Sequence, residues 1–288
     1  MRRRLPRFAV LAVAALAAAG AVVPQAQMRV DLELVLAVDI SRSMDFDEHT
    51  LQRNGYVEAF RHEQVINALL SGPEGRIAVT YLEWAAEPRQ VIPWTIIDSE
   101  KTARDFADKV AAEPVYGERR TSISAALFDA ANLIETNDIT SHRQVIDVSG
   151  DGANNSGLPV EEARDFVLRR GITINGLPIL LNVGYGPRQG YDIDHLDRYY
   201  KHCVIGGEGA FIAPVFDLKQ LSATIRKKLV LEIAGLEVAP EAAAVQYAEA
   251  PGRAGLTLAQ LKLPTEKTDC MSGEKARMYR GGGGLTDN

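Results

Sequence analysis

What most constrains this chain is an alternation. Short apolar runs that end in polar or glycine-rich residues take turns with longer stretches of helical spacing. "LELVLAVDI" (32–40) is apolar almost throughout, as a strand covered on both faces must be. "RQVIDVSGDG" (143–152), "ITINGLPILL" (172–181) and "GAFIAPV" (209–215) read as further strands. "RIAVTYLEWA" (76–85) and "RQVIPWTII" (89–97) are strands joined by a short turn. Pro93 donates no backbone hydrogen bond, which predicts a hairpin at a sheet edge. Between the strands, 48–71 carries Leu51, Val57, Phe60, Val65, Ile66 and Leu69 at helical spacing. Residues 99–113 (with Ser99 as N-cap), 122–136, 159–171 (opening on Pro159 at the first helical position and closing on Gly171), 192–204 and 217–235 also read as helices. Strands alternating with helices predict an α/β, doubly wound, mostly parallel central sheet with one antiparallel edge strand and helices on both faces. In such sheets function gathers beyond the carboxyl ends of the strands.

The two ends of the chain read differently. Residues 1–26 open with four Arg in seven residues, continue through an uncharged stretch from Phe8 to Val23, and reach Pro24 and small residues. That order is an export signal, with cleavage after Ala26 or after Ala21. The apolar stretch is short and Ala-rich for a span, so no stable membrane span is expected after cleavage. Residues 27–235 form the predicted domain, and 236–288, ending "RGGGGLTDN", read as a flexible tail. Removing residues 1–26 takes away four Arg and no acid, moving the formal net charge from −6 to −10. So acidic a chain is a poor partner for nucleic acid. Export points to the periplasm or to secretion. In that compartment the two cysteines, Cys203 and Cys270, suggest one disulfide, the alternative being two unpaired thiols.

Two predicted strands carry acids at their carboxyl ends: Asp39-Ile40-Ser41-Arg42-Ser43 and Ser149-Gly150-Asp151-Gly152. Between them "GERRTSISAAL" (117–127) puts Thr121 in a loop before a helix. Asp39, Ser41 and Ser43 alternate, so one loop can turn all three toward one point. Together with Thr121 and Asp151 they offer two carboxylates and three hydroxyls, an oxygen set suited to Mg²⁺. Gly150 and Gly152 would let the backbone pass close to the ion. Asp39, Ser41 and Ser43 could instead simply cap the following helix.

Asp-x-Ser-x-Ser after the first strand, a Thr before a helix and an Asp-Gly after a later strand together resemble the von Willebrand factor A domain, a Rossmann-like fold. The likeness runs from about Asp31 to Gly235. "YYKHCVIGGEGAFIAPV" (199–215) further resembles an exported bacterial subfamily of unassigned function. The resemblance implies a metal-ion-dependent adhesion site with Asp39, Ser41, Ser43 and Thr121 as ligands and Asp151 as a more distant carboxylate. It implies Mg²⁺, with Mn²⁺ or Ca²⁺ possible, and a protein partner whose acidic side chain completes the ion's shell. Ser149 stands where many members have Thr, and Arg119 and Arg120 stand where many have Gly.

Other features are weaker and have plainer explanations. Asp45, Asp47 and Glu48 follow Ser43-Met44 where integrin β-type domains build an adjacent second metal site, but only one of the two positions matches, and acids favour a helix N-terminus. His195 and His202 lie among acids and could hold zinc, or could line a solvated helix face. Trp84 and Trp94 read as packing residues, and "GGEG" (206–209) as a turn. No Ser-His-Asp arrangement in a motif context and no nucleophilic Cys is seen, so the expected role is non-enzymatic binding. The alternative is a Mg²⁺-dependent phosphoester hydrolase using Asp39, although Ser41 occupies the position of the second acid such enzymes carry.

Overall fold

The structure is a computed structural model that describes residues 28–180, 195–235 and 268–281. A five-stranded sheet has the order β3-β2-β1-β4-β5. The strands are β1 (Met28–Asp39), β2 (Ile77–Trp84), β3 (Arg89–Ile97), β4 (Ile139–Gly150) and β5 (Thr173–Pro178). β1 pairs in parallel with β2 and β4, β4 pairs in parallel with β5, and β3 is the antiparallel edge strand. Pro93 lies in that edge strand, as expected.

β1 is buried on both faces. Leu32, Leu34, Leu36 and Val38 enter one hydrophobic cluster, and Val35 and Ala37 enter the other. The first cluster is closed by α1 (Phe46–Arg61), α2 (Glu63–Leu69), α3 (Glu100–Ala112) and α7 (Leu221–Ala234). The second is closed by α4 (Ile123–Glu135), α5 (Val160–Leu168) and the short α6 (Leu196–Tyr199), which runs into a π-helical turn over Tyr200–Val204. This is the doubly wound α/β fold, with helices on both faces.

Four local expectations are corrected. The single helix expected over 48–71 is two, because His62 takes an extended backbone (φ −85°, ψ 134°) and its Nδ1 accepts from Gln64 N. Pro159 caps α5 rather than opening it. A 3₁₀ turn over Leu218–Gln220 precedes α7. Residues 209–215 form no continuous strand. They run beside β5 through Gly176 N→Phe211 O, Ala213 N→Gly176 O and Val215 N→Pro178 O, yet only isolated bridges result. Pro178 has no N–H to give the next rung of that ladder.

The expected export segment, 1–26, lies outside the described residues. So do 192–194 and most of the expected tail. Within the tail, 268–281 contain α8 (Ser272–Gly281), and Cys270 forms a disulfide with Cys203, Cα–Cα 5.5 Å. Among the described residues no helix is long and apolar enough to cross a membrane.

Candidate functional site

β1 ends on Asp39, which is fully buried. The loop that follows folds back on it: Ser41 N donates to Asp39 Oδ1 at 2.6 Å. Ser41 Oγ and Ser43 Oγ lie 2.7 Å apart, and Ser43 Oγ donates to Asp151 Oδ1 at 2.6 Å. The single hydroxyl proton of Ser43 is used on Asp151, so Ser41 must donate to Ser43. Both protons thus point along the chain toward the Asp151 carboxylate. Lone pairs of both serines remain for another acceptor-seeking group.

Asp151 reaches this point because β4 lies directly beside β1, with Val38 opposite Ser149. Gly150 makes the approach possible. A Cβ there would meet Asp39 Oδ2 at 2.7 Å and Tyr200 Oη at 2.9 Å. Gly152 carries no such demand, since its nearest neighbours, the Thr121 side-chain atoms, would stand 3.7 Å from a Cβ. Of the two expected close approaches only the one at Gly150 is present. The same figure puts the Thr121 hydroxyl against the Asp151–Gly152 turn. Thr121 is buried, and its backbone is held by Asn155 from both sides: Thr121 N donates to Asn155 Oδ1 at 3.0 Å, and Asn155 N to Thr121 O at 2.8 Å. The loop leading to Thr121 is tied to the first loop by Arg42 N→Glu118 O and Glu118 N→Ile40 O. Arg119 and Arg120 are exposed beside it. The three segments are therefore brought together.

Electrostatics give the cluster its character. Burial pushes the Asp39 carboxyl up to about 7, against the opposing pull of the backbone N–H groups of Ser41 and Asp151. Asp39 Oδ2 is buried with no hydrogen-bond partner among the described residues. A buried carboxylate oxygen in that state is costly unless something positive meets it. Buried hydroxyls, two acids and an orphaned carboxylate oxygen fit a hard divalent cation and fit nothing apolar.

Several residues behind the site were missed in the sequence. Gln52 Nε2 donates to Asp39 O at 3.0 Å, and His49 is buried under the Asp39–Ser41 loop, where burial pushes its imidazole below the ordinary value. Tyr200 is held well above its ordinary value, first by burial and then by the charges of Asp39 and Asp151. Arg53 bridges the buried Glu83 carboxylate and Glu113 O. Glu83 in an otherwise apolar strand was the available signal. A lone acid there needs a buried cation as partner.

The weaker candidates resolve differently. Asp45 and Glu48 form a reciprocal cap on α1, with Glu48 N→Asp45 Oδ1 at 2.9 Å and Asp45 N→Glu48 Oε2 at 2.8 Å, so the helix-terminus explanation stands over a second metal site. His202 Nδ1 bonds Thr268 Oγ1 at 2.6 Å, while His195 opens α6 with φ 69°. Trp84 is fully buried, and Trp94 Nε1 donates to Leu133 O. A cleft of about 480 Å³, lined by Ser141, Arg143, Asn175, Phe211 and Glu232, lies at the opposite ends of β4 and β5, away from this cluster.

A family profile described as "Protein of unknown function (DUF1194)" matches residues 29–237. No curated protein matches. Among solved structures the fold is similar to proximal thread matrix protein 1 from the mussel byssus with a zinc-occupied MIDAS motif (14% identity, 71% of this chain and 46% of that one, TM-score 0.52). It is similar to a von Willebrand factor type A protein from Catenulispora acidiphila (16%, 73% and 44%, 0.51). It is also similar to the von Willebrand factor domain of the type V pili tip protein Mfa5 from Porphyromonas gingivalis (11%, 73% and 97%, 0.50). The chain spans just under half the length of the first two. At these identities the likeness establishes a von Willebrand factor A-type fold.

Proposed function

The chain belongs to the DUF1194 family of proteins of unknown function, and we propose that it works as an exported, metal-dependent binding domain without catalytic activity of its own. In this reading Asp39, Ser41, Ser43, Thr121 and Asp151 hold one divalent cation, Mg²⁺ by preference and Mn²⁺ or Ca²⁺ as substitutes. The observation that carries it is Asp39 Oδ2, buried with no hydrogen bond of its own among the described residues, at the start of the loop whose Ser41 and Ser43 hydroxyls lie 2.7 Å apart.

Two carboxylates and three neutral hydroxyls leave room for one more anionic oxygen. A bound cation would supply a Lewis-acidic point that accepts it. The partner is then a protein presenting an Asp or Glu, and the exposed Arg119 and Arg120 favour the approach of such an acid. Periplasmic or secreted location follows from the signal-like residues 1–26. The hydrolase alternative draws no comparable support. Ser41 holds the place of a second acid, and its N–H engages Asp39 Oδ1.

Calorimetric titration of the chelator-treated protein with Mg²⁺ and Mn²⁺, beside Asp39→Ala, tests the reading. Wild type should bind one ion and the variant none, with acetate tightening wild-type binding. Heats that match between the two proteins, with and without acetate, would remove it.

A further inference from the structure

The family match ends at residue 237, yet a segment well beyond it lies against the candidate site. Cys270 is tied to Cys203 by the disulfide, and Tyr199 Oη both donates to Cys270 O (3.4 Å) and accepts from Asn154 N (3.2 Å). From there α8 packs on the loop that follows Asp151. Glu274 Oε1 accepts from Asn154 Nδ2 at 2.7 Å, and Arg277 Nη1 donates to Asn155 O at 2.9 Å. Contact is so close at Gly273 that a Cβ there would stand 2.2 Å from Asn154 O.

The two asparagines pass this contact on. Asn154 Oδ1 accepts from Ser124 N at 3.0 Å, in the first turn of α4. Asn155 clasps the Thr121 backbone through Oδ1 and N. Asn154 lies three residues after Asp151, so the loop that carries Asp151 is fastened to the Thr121 segment through these two side chains. Partners that orient ligating residues govern affinity although they never touch the ion.

We propose that residues 268–281 are a disulfide-tethered clamp on the site, with Gly273, Glu274 and Arg277 as positioning residues for Thr121 and Asp151. The clamp rests on the cation reading for what it serves, but its grip on the two loops is a property of the ion-free protein.

Amide hydrogen exchange on the full, chelator-treated protein tests it, comparing wild type, Gly273→Ala, Glu274→Ala and Glu274→Gln. Exchange at Thr121, Ser124 and Asn155 should quicken about tenfold in Gly273→Ala and Glu274→Ala, with β2 amides unchanged. Ala is the better helix former, so lost protection in Gly273→Ala cannot come from a weaker helix. Glu274→Gln keeps an oxygen for Asn154 Nδ2 and should retain most of the protection. Mn²⁺ affinity measured on the same proteins should fall about tenfold in the two disrupting variants. Quickened exchange in a protein whose wild type binds no ion would keep the clamp and remove the cation reading. Unchanged exchange at the three amides in both disrupting variants would overturn the clamp, whatever the ion does.

Discussion

In the proposed site Asp39 would serve two opposed requirements: it is buried at the end of the central strand, and it would have to be charged to hold a cation. In the absence of an ion, burial favours its neutral form. Asp39→Asn should therefore leave the ion-free protein within about 1 kcal/mol of wild type, since Asn keeps the oxygen that accepts from Ser41 N. Saturating Mg²⁺ should then separate the two. At one hundred times its Kd an ion stabilises wild type by about 2.7 kcal/mol and the variant not at all. Thermal melts with and without Mg²⁺ read this directly, and equal shifts in both proteins would count against Asp39 as a ligand. A second residue-scale test concerns Arg120, whose φ of 74° is left-handed. A side chain in that conformation costs roughly 1 kcal/mol that glycine does not incur. Arg120→Gly should match or exceed wild type in melting temperature, whereas Arg119→Gly should lose roughly 0.5–1 kcal/mol through added backbone freedom. Equal losses in both would show that no strain resides at Arg120. That the segments carrying the five oxygen residues meet was legible because alternation and strand-end position are local properties. His49, Gln52 and Tyr200 were not, because their roles come from helices whose depth behind the loop no spacing reveals.

At the scale of elements, β4 and α7 meet through a buried charged triad. Lys228 Nζ lies 2.6 Å from Asp147 Oδ1 and is paired with Glu232, which also accepts from Asn175 Nδ2 at 2.9 Å. Two acids against one cation leave an excess negative charge in the interior. Burial first, then repulsion from Asp147, pushes the Glu232 carboxyl up to about 7. In the unfolded chain it titrates near its ordinary 4.5, so between about 4.5 and 7 the folded state holds more protons. Stability should thus fall as pH rises through that window, by at most about 1.4 kcal/mol per pH unit for one proton. Asp39 would add a slope of the same sign in the ion-free protein, so the measurement belongs in the Asp39→Asn background. There, Glu232→Gln should flatten urea-derived stability between pH 5 and 7, and an unchanged slope would exonerate Glu232. A second buried contact links α1 to β2 and β3: Glu83 lies between Arg53 and the half-exposed Arg89. Arg53→Met alone would leave Glu83 largely uncompensated and should cost about 3–5 kcal/mol, while adding Glu83→Leu should recover most of it. Chemical denaturation of the single and double variants distinguishes this from simple loss of packing. Element type was legible nearly throughout, because parallel strands buried on both faces are continuous in apolar residues. The division of 48–71 was not, since it turns on an imidazole capping its own chain at His62. Nor was the failure of 209–215 to extend the sheet, which depends on Pro178 in a different segment.

For the molecule as a whole, the sheet and its two apolar clusters account for the described residues 28–180 and 195–235, with Cys270 only partly buried against the second cluster. The covalent link is of a different kind. Cys203 and Cys270 are 67 residues apart in sequence, so their bond restricts a long loop of the unfolded chain. For a closed loop of that length the restriction is worth about 4 kcal/mol in the chain-entropy account. Pairing was foreseeable from two cysteines in a chain that opens with a signal-like segment. Where the tethered segment docks was not, because the contact at Gly273 depends on a turn more than a hundred residues earlier. The paired variant Cys203→Ser/Cys270→Ser should consequently remain a cooperatively folding protein, since no strand pairing is altered and Cys203 is the one fully buried cluster residue that changes. Its melting temperature should fall by roughly 10 °C, the shift expected when about 4 kcal/mol is removed from a domain of this size. A chain ending at Gly235 and carrying Cys203→Ser should melt close to that variant, because entropy of the tether, not packing of the tail, dominates global stability. Calorimetry on the three proteins decides. A truncated chain that shows no cooperative transition would mean that 268–281 belong to the folding unit itself, and a paired-serine variant melting with wild type would mean that the disulfide matters only where the segment meets the site.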